Sequence, residues 1–133
     1  MSQPWLELPL PARARILVAE DEALAAMAIE EELYDAGYAV ELAPDGQAAL
    51  ELARCALPDL LLTDLRMPRL DGGGLIRAVR AFAPDLPVIV MSGFAAATDA
   101  EDFRRMGEGP VALFAKPLDM DAVLAEIARL LRR

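Results

Sequence analysis

The chain has 133 residues, of which 56% are hydrophobic, and this length and composition favour a single folded domain over a disordered chain. Its formal net charge of −9 at pH 7 disfavours nonspecific binding to nucleic acid or to anionic membrane surfaces. The absence of histidine excludes histidine metal ligands, histidine general bases and Ser-His-Asp triads, so a bound metal would need oxygen ligands, and Mg²⁺ is the candidate.

Residues 1–14 are predicted to form an irregular N-terminal arm. Three prolines disfavour regular structure in this stretch: Pro4, Pro9 and Pro11. The arm also has four large apolar side chains: Trp5, Leu6, Leu8 and Leu10. These side chains could dock the arm onto the domain, or the arm could be a mobile tail, and the sequence leaves both interpretations open.

Five short apolar runs, the first of which begins at Arg15, are the predicted strands. In chain order they read RILVA, YAVEL, DLLLT, PVIVM and VALFA, and they cover residues 15–19, 38–42, 59–63, 87–91 and 111–115. The first, third and fourth runs are almost wholly apolar, which is typical of inner strands in a parallel sheet with helices on both faces.

A helix is predicted after each strand. Asp45 and Gly46 mark the start of the second helix, a shorter polar helix is predicted at about residues 99–106, and the last helix begins near Asp119. Apolar residues at helical spacing are predicted to face the sheet: Ala26, Ile29, Leu33 and Ala36, then Leu75, Val79 and Phe82, and finally Met120, Val123, Leu124, Ile127 and Leu131. The order is (βα)5, which predicts an α/β fold with a doubly wound parallel sheet.

Polar residues stand at the ends of four predicted strands. They are Glu20 and Asp21 after the first strand, Asp64 after the third, Ser92 after the fourth and Lys116 after the fifth. Because parallel strands end at the same edge of an open sheet, where ligands bind, these side chains are predicted to share one crevice. Each alone could be a helix cap, a turn residue or a solvated lysine, but together they favour a site.

This set of side chains suits phosphoryl transfer to a carboxylate. Asp21 and Asp64 are predicted to bind Mg²⁺ directly, and Glu20 directly or through water, because Mg²⁺ prefers carboxylate oxygens and water as ligands. Lys116 and Ser92 are suited to bind a phosphoryl oxygen. Asp64 would be the nucleophile, held rigidly at the end of an apolar strand.

Four motifs resemble those of the receiver domains of two-component response regulators, the CheY-like family. They are ILVAEDE, LLLTDLRMPRLDG, VIVMSG and FAKPLD, which begin at residues 16, 60, 88 and 114. The resemblance implies a response regulatory (receiver) domain over residues 15–133, with a flavodoxin-like, five-stranded sheet in the strand order 2-1-3-4-5.

The resemblance also implies roles for individual residues. Asp64 resembles the phosphoacceptor. Glu20 and Asp21 resemble the acidic pair that binds the metal with Asp64, and Arg66 would add its backbone carbonyl. The side chain of Arg66, two residues after the acceptor, is predicted to alter the lifetime of the acyl phosphate.

The later motifs supply the remaining roles. Ser92 resembles the switch hydroxyl, and Lys116 resembles the lysine that contacts a phosphoryl oxygen, with a cis bond expected before Pro117. The family often has an aromatic residue three positions before this lysine. This sequence has Leu113 there and Phe114 next to it, which leaves an aromatic switch an open question.

The implied function is that of a signalling domain rather than an enzyme. Because the sequence has no histidine, the phosphoryl donor is expected to be a sensor histidine kinase or a histidine phosphotransfer protein. With no residues left for an output domain, we expect a single-domain response regulator that switches protein–protein interactions. Its target surface would be the face formed by the fourth helix, the fifth strand and the last helix.

Three alternatives remain, and one of them is a pure interaction module in which the acidic site is vestigial. The chain could be a receiver module from a hybrid histidine kinase. It could also be a phosphohydrolase that forms an aspartyl phosphate, but such enzymes typically have a second acid two residues after the nucleophile, where this chain has Arg66. We expect a monomer or a weak homodimer that binds neither nucleic acid nor membrane.

A cytoplasmic location is predicted from two features of the sequence. The chain has no apolar run near the roughly 20 residues that span a bilayer, and its N-terminus does not have the pattern of a secretory signal. Its single cysteine, Cys55, cannot form an internal disulfide and is predicted to be a buried or half-buried thiol.

Overall fold

Five parallel strands form one sheet in the computed structural model, which describes residues 13–93 and 109–132. The strands are β1 to β5 in chain order: Arg15–Ala19, Ala39–Ala43, Leu60–Asp64, Val88–Ser92 and Val111–Ala115. Their order in the sheet is β2-β1-β3-β4-β5, and every neighbouring pair is parallel. The predicted fold and strand order are therefore confirmed.

Four helices lie within the described ranges. They are α1 to α4 in chain order: Ala23–Asp35, Gly46–Cys55, Gly72–Arg80 and Met120–Leu131. The helix predicted at about residues 99–106 and the first twelve residues of the predicted arm lie outside the described residues. None of the described helices is long and apolar enough to cross a bilayer.

The sheet separates two apolar clusters, because successive residues of a strand point to opposite faces. On one face Leu17, Leu61 and Val90 pack with residues of α2 and α3. On the other face Val18 and Leu62 pack with residues of α1 and α4. Each fully buried aliphatic side chain contributes about 1.5–3 kcal/mol to stability, so these clusters hold the strand ends rigidly in place.

Aspartates cap three of the four described helices. Asp45 accepts a hydrogen bond from the backbone N–H of Ala48 at the start of α2, and the capping aspartates of α3 and α4 are Asp71 and Asp119. The residue before α1 is Glu22, and its side chain makes no capping hydrogen bond. Helix α1 therefore begins without a capping hydrogen bond from the side chain of its N-cap residue.

Several boundary and burial predictions need correction. Asp64 and Ser92 are the last residues of β3 and β4 rather than the residues that follow them. Ala36 lies past the end of α1 and is exposed, and Phe82 lies past the end of α3 and is 44% exposed. Cys55 is exposed rather than buried, because α2 packs against the sheet through other positions, among them Ala49, Leu50 and Ala53.

Candidate functional site

Three carboxylates meet at the C-terminal edge of the sheet. Glu20 and Asp21 follow β1, and Asp64 ends the neighbouring strand β3. One oxygen from each carboxylate lies within 4.8 Å of the others. Glu20 and Asp64 are buried whereas Asp21 is exposed, so the cluster opens to solvent on the side of Asp21. The predicted convergence of these acids is present in the structure.

Lys116 contacts two of these acids from the end of the edge strand β5. It follows β5, and its Nζ atom donates hydrogen bonds to Glu20 Oε1 at 2.9 Å and to Asp64 Oδ2 at 2.8 Å. The Lys116 side chain is 30% exposed, whereas the Glu20 side chain is fully buried. The ammonium group therefore partly offsets negative charge that would otherwise be costly to bury.

Burial and charge shift two pKa values in this cluster. Burial raises the pKa of the Glu20 carboxyl, although the hydrogen bond from Lys116 acts in the opposite direction. Burial alone would lower the pKa of the Lys116 ammonium, but hydrogen bonds and charge–charge attraction to Asp64 and Glu20 outweigh it and raise that pKa. Lys116 is therefore held in its charged form next to the acids.

The backbone around Asp64 fixes the direction of its carboxylate. The backbone N–H of Arg66 donates to Asp64 Oδ1 at 3.3 Å, while Lys116 occupies Oδ2. The hydroxyl of Thr63 donates to the backbone carbonyl of Asp64 at 2.9 Å. Both carboxylate oxygens are thus positioned, and Asp64 is 7% exposed, which leaves only a small opening for an incoming group.

Ser92 lies next to Lys116 along the edge of the sheet. It ends β4 and is 2% exposed, and its backbone carbonyl accepts a hydrogen bond of 2.8 Å from the Lys116 backbone N–H. The preceding residue, Met91, is the register partner of Asp64. The bond between Lys116 and Pro117 is cis, as predicted. All the predicted side chains of the site thus come from one edge of the sheet.

Residues 16–128 match the family model of the response regulator receiver domain. The chain belongs to this family. The match covers the whole acidic cluster and all five strands except the first residue of β1, Arg15. A receiver domain is a signalling domain.

Named relatives agree with this assignment. The chain is 36% identical to the response regulator MprA of Mycolicibacterium vanbaalenii over 119 residues, which are 90% of this chain and 51% of that protein. The chain therefore spans about half the length of the curated relatives it matches.

Solved structures agree in fold. The chemotaxis protein CheY4 of Vibrio cholerae superposes with a TM-score of 0.83 at 26% identity, covering 90% of this chain and 99% of that one. The signal receiver domain of a signal transduction histidine kinase from Syntrophus aciditrophicus gives a TM-score of 0.77 at 28% identity, covering 89% of each chain.

The residues of this receiver domain fit a divalent cation by charge and by ligand type. Glu20, Asp21 and Asp64 supply three negative charges when ionised, and Lys116 supplies one positive charge. The ligand atoms are all carboxylate oxygens, which hard cations such as Mg²⁺ prefer. A divalent cation would balance the remaining negative charge.

Leu113 and Phe114 of β5 face opposite sides of the sheet. Leu113 packs against the cluster beneath α2 and α3, whereas Phe114 packs against the cluster beneath α1 and α4. The side chain at the position where the family often has an aromatic residue is therefore aliphatic, and the neighbouring aromatic ring points to the other helix layer.

Gly72 has a role beside the site that was not predicted from the sequence. A Cβ atom at Gly72 would lie 2.4 Å from the backbone oxygen of Asp64, so only glycine allows α3 to begin this close to the end of β3. The Gly72 backbone N–H also donates to the Leu65 carbonyl at 2.8 Å. The run of three glycines after Asp71 was the available signal.

Proposed function

We propose that this chain is the phosphoacceptor receiver domain of a two-component phosphorelay and that Asp64 is the side chain that becomes phosphorylated. The observation that carries the proposal is the meeting of three carboxylates and one ammonium group at the edge of the sheet, where Lys116 contacts both Glu20 and Asp64. Membership of the receiver family supports the same assignment.

In the proposed step, a carboxylate oxygen of Asp64 attacks the phosphorus atom of a phosphohistidine. The new bond joins Asp64 to phosphorus, the bond between phosphorus and the imidazole nitrogen breaks, and its electron pair stays on that nitrogen. This sequence contains no histidine, so the donor histidine belongs to a sensor histidine kinase or a histidine phosphotransfer protein.

Glu20, Asp21 and Asp64 would hold Mg²⁺, and the backbone carbonyl of Arg66 is proposed as a further ligand. When bound, Mg²⁺ supplies positive charge that stabilises the charge developing on the phosphoryl oxygens. Lys116 already donates a hydrogen bond to Asp64, and its ammonium group would therefore be close enough to bind an oxygen of a phosphoryl group on Asp64. Ser92 would donate its hydroxyl hydrogen to the same group.

Phosphorylation would convert the single charge of Asp64 to about two negative charges and add acceptor oxygens. Movement of Ser92 and Lys116 toward these oxygens would shift the domain between two conformations. We propose that a protein target binds one of these conformations through a face formed by β5, α4 and the helix predicted at about residues 99–106. The net charge of −9 supports a protein target over nucleic acid or membrane.

Two settings for this domain remain candidates. A single-domain response regulator would carry out the proposed switching alone. The likeness to the receiver domain of a Syntrophus histidine kinase favours, as a second candidate, a receiver module within a hybrid kinase. Immunoblotting of the source cells distinguishes them, because a stand-alone regulator gives a band of the size of the 133-residue chain and a module gives a larger one.

The phosphoacceptor role is tested by incubating the purified chain with Mg²⁺ and acetyl phosphate and measuring the intact mass. We expect a gain of one phosphoryl group that requires Mg²⁺ and is lost in Asp64→Asn. The control is Asp121→Asn, which changes an exposed aspartate in the first turn of α4 and should leave the mass gain intact. No mass gain in the unmodified chain, or an unchanged gain in Asp64→Asn, would overturn the proposal.

A further inference from the structure

Helix α1 has a second apolar stripe that does not face the sheet. Ala26, Ile29 and Leu33 form its buried stripe. Three of the five large hydrophobic side chains that are exposed in the described ranges also lie on α1: Leu24 at 82%, Met27 at 58% and Tyr34 at 49%. Their spacing of three and seven residues places them along one side of the helix. A surface helix normally has one apolar stripe, which it buries. The exposed second stripe therefore indicates a surface that binds another apolar segment.

The second stripe borders a groove between α1 and the edge strand β2. Leu24, Met27 and Tyr34 line it on the helix side, and Ala39 and Val40 line it on the strand side. We call it the α1–β2 groove, and its volume is about 720 Å³. Because β2 is the outermost strand of the sheet, no other strand of the sheet covers this side.

The N-terminal arm joins the domain at one end of this groove. The guanidinium carbon of Arg13 lies 5.6 Å from the centre of the Tyr34 ring, and Arg13 is only 6% exposed. The carbonyl of the next residue, Ala14, accepts a hydrogen bond of 2.9 Å from the backbone N–H of Ala39. Tyr34 and Ala39 both line the groove, so the arm connects to the described part of the chain at this end of the groove.

The arm has the length and the side chains to fill the groove. Leu24 and Tyr34 are ten positions apart on α1, which corresponds to about 15 Å along the helix axis. An extended proline-containing chain advances about 3.1 Å per residue, so roughly five residues before Arg13 cover this distance. Segment 4–10, PWLELPL, begins nine residues before Arg13, so it is long enough to extend along the whole groove, and it provides one tryptophan and three leucines.

We propose that segment 4–10 occupies the α1–β2 groove of its own chain and covers the second apolar stripe of α1. The prolines at positions 4, 9 and 11 lack the backbone N–H that a strand would need, so the arm binds through its side chains rather than by adding a strand to β2. Burial of the tryptophan and leucine side chains against Leu24, Met27 and Tyr34 drives the association.

Trp5 is the only tryptophan of the chain and therefore reports directly on the arm. We expect its fluorescence in the full-length protein to have a blue-shifted emission maximum and weak quenching by acrylamide, relative to free N-acetyltryptophanamide. A double variant, Leu24→Glu with Met27→Glu, should shift the emission to the red and bring acrylamide quenching toward the value of the free compound. Circular dichroism should stay unchanged, because both side chains are exposed.

Two controls locate the docking site. Leu57→Glu changes an exposed leucine, 49% accessible, in the connection between α2 and β3, and should leave Trp5 emission unchanged. The arm variant Leu8→Ser with Leu10→Ser should reproduce the effect of the groove variant. The assay contains neither Mg²⁺ nor a phosphoryl donor, so its result is independent of the proposed phosphoacceptor role.

Three outcomes would overturn the proposal. Emission like that of the free compound in the unmodified chain means that the arm is not docked. A buried Trp5 that does not respond to the groove variant means that the arm docks elsewhere. Emission that shifts to the blue as protein concentration rises, together with a larger sedimentation coefficient, means that the groove takes the arm of a second copy.

Discussion

Lys116 is the residue that links the charges of the site to the stability of the domain. Its ammonium group contacts a fully buried Glu20 side chain and an Asp64 side chain that is 11% exposed. Removing one partner of a buried ion pair leaves the other charge without compensation, which costs more than the pair contributes. The acids of the site thus need a cation whether or not phosphorylation takes place.

We expect Lys116→Met to lower the free energy of unfolding by about 2 kcal/mol without Mg²⁺, because Glu20 and Asp64 lose their cationic partner. Saturating Mg²⁺ should restore most of this loss, since a divalent cation would offset the same acids. Urea unfolding with and without Mg²⁺ measures both effects. An equal loss in the two conditions would contradict the prediction.

The matched control for this experiment is Arg129→Met. Arg129 also pairs with a glutamate, Glu126, but its side chain is 65% exposed and lies on α4 away from the acidic cluster. An exposed ion pair contributes little to stability, so this variant should change the free energy of unfolding little and independently of Mg²⁺.

Arg66 is expected to prolong the lifetime of the acyl phosphate. It is exposed, stands two residues after Asp64, and its backbone N–H already bonds to the Asp64 carboxylate. A guanidinium group at this distance along the chain can bind a phosphoryl oxygen or hinder an attacking water molecule. We expect Arg66→Asn to accelerate hydrolysis by about tenfold, which corresponds to the loss of one charge-assisted hydrogen bond.

The decay of the phosphorylated chain after removal of acetyl phosphate, followed by intact mass, measures this rate. Arg69→Asn is the control, because Arg69 belongs to the same loop but its ion pair at 3.6 Å is with Asp45. The same decay rate in Arg66→Asn and in the unmodified chain would exclude a role for the Arg66 side chain.

At the scale of elements, the start of α3 determines where the end of β3 can lie. Gly72 is the first residue of this helix and packs directly on the backbone of Asp64 and Leu65. Gly74, two residues later, faces the side chain of Leu70, whose nearest atom would lie 2.7 Å from an added Cβ atom. A methyl group therefore meets fixed backbone at the first position and a flexible side chain at the second.

We expect Gly72→Ala to lower the free energy of unfolding by about 2 kcal/mol or more, since the helix or the strand must move to avoid the clash. It should also weaken Mg²⁺ binding, because Asp64 belongs to the displaced backbone. Gly74→Ala should be close to neutral, because alanine favours a helix by up to about 1 kcal/mol over glycine and offsets the crowding of Leu70. Urea unfolding and Mg²⁺ titration of both variants check the difference, and equal behaviour would contradict it.

At the scale of the whole molecule, the sequence predicts the element order because apolar periodicity and local turn residues decide it, whereas the strand order followed from the family resemblance. The convergence of Glu20, Asp64 and Lys116 follows from the same topology, since each stands at the C-terminal end of a parallel strand. The family resemblance added the roles of these residues, and those roles stay proposals.

Contacts that depend on packing between elements could not be predicted in this way. Gly72 resembles its two glycine neighbours in sequence, and only the distance between α3 and β3 distinguishes it. The exposure of Cys55 depends on the direction in which the end of α2 faces. Arg69 has a φ of 74°, which no local pattern in the sequence indicates for a residue with a side chain.

Arg80 makes long-range contacts that its neighbours in the sequence do not indicate. It lies on α3 three residues after Arg77, yet Arg80 is 7% exposed whereas Arg77 is exposed. Its Nη2 atom donates to the carbonyls of Leu86 at 2.9 Å and Pro110 at 2.8 Å. These carbonyls precede β4 and β5, so one side chain joins a helix to the starts of two strands.

This cross-link lies at the N-terminal edge of the sheet, opposite the acidic cluster. Its loss should therefore lower the stability of the domain without changing the affinity of the site for Mg²⁺. We expect Arg80→Met to lower the free energy of unfolding by about 2 to 4 kcal/mol, because the carbonyls of Leu86 and Pro110 lose a charged donor that is itself buried. Arg77→Met, its exposed neighbour on α3, should change stability by less than about 0.5 kcal/mol. In both variants the folded protein should bind Mg²⁺ with unchanged affinity, since no residue of the acidic cluster is displaced. Urea unfolding and Mg²⁺ titration check the two expectations separately. A weakened Mg²⁺ affinity in Arg80→Met would mean that the two edges of the sheet are coupled through β4 and β5.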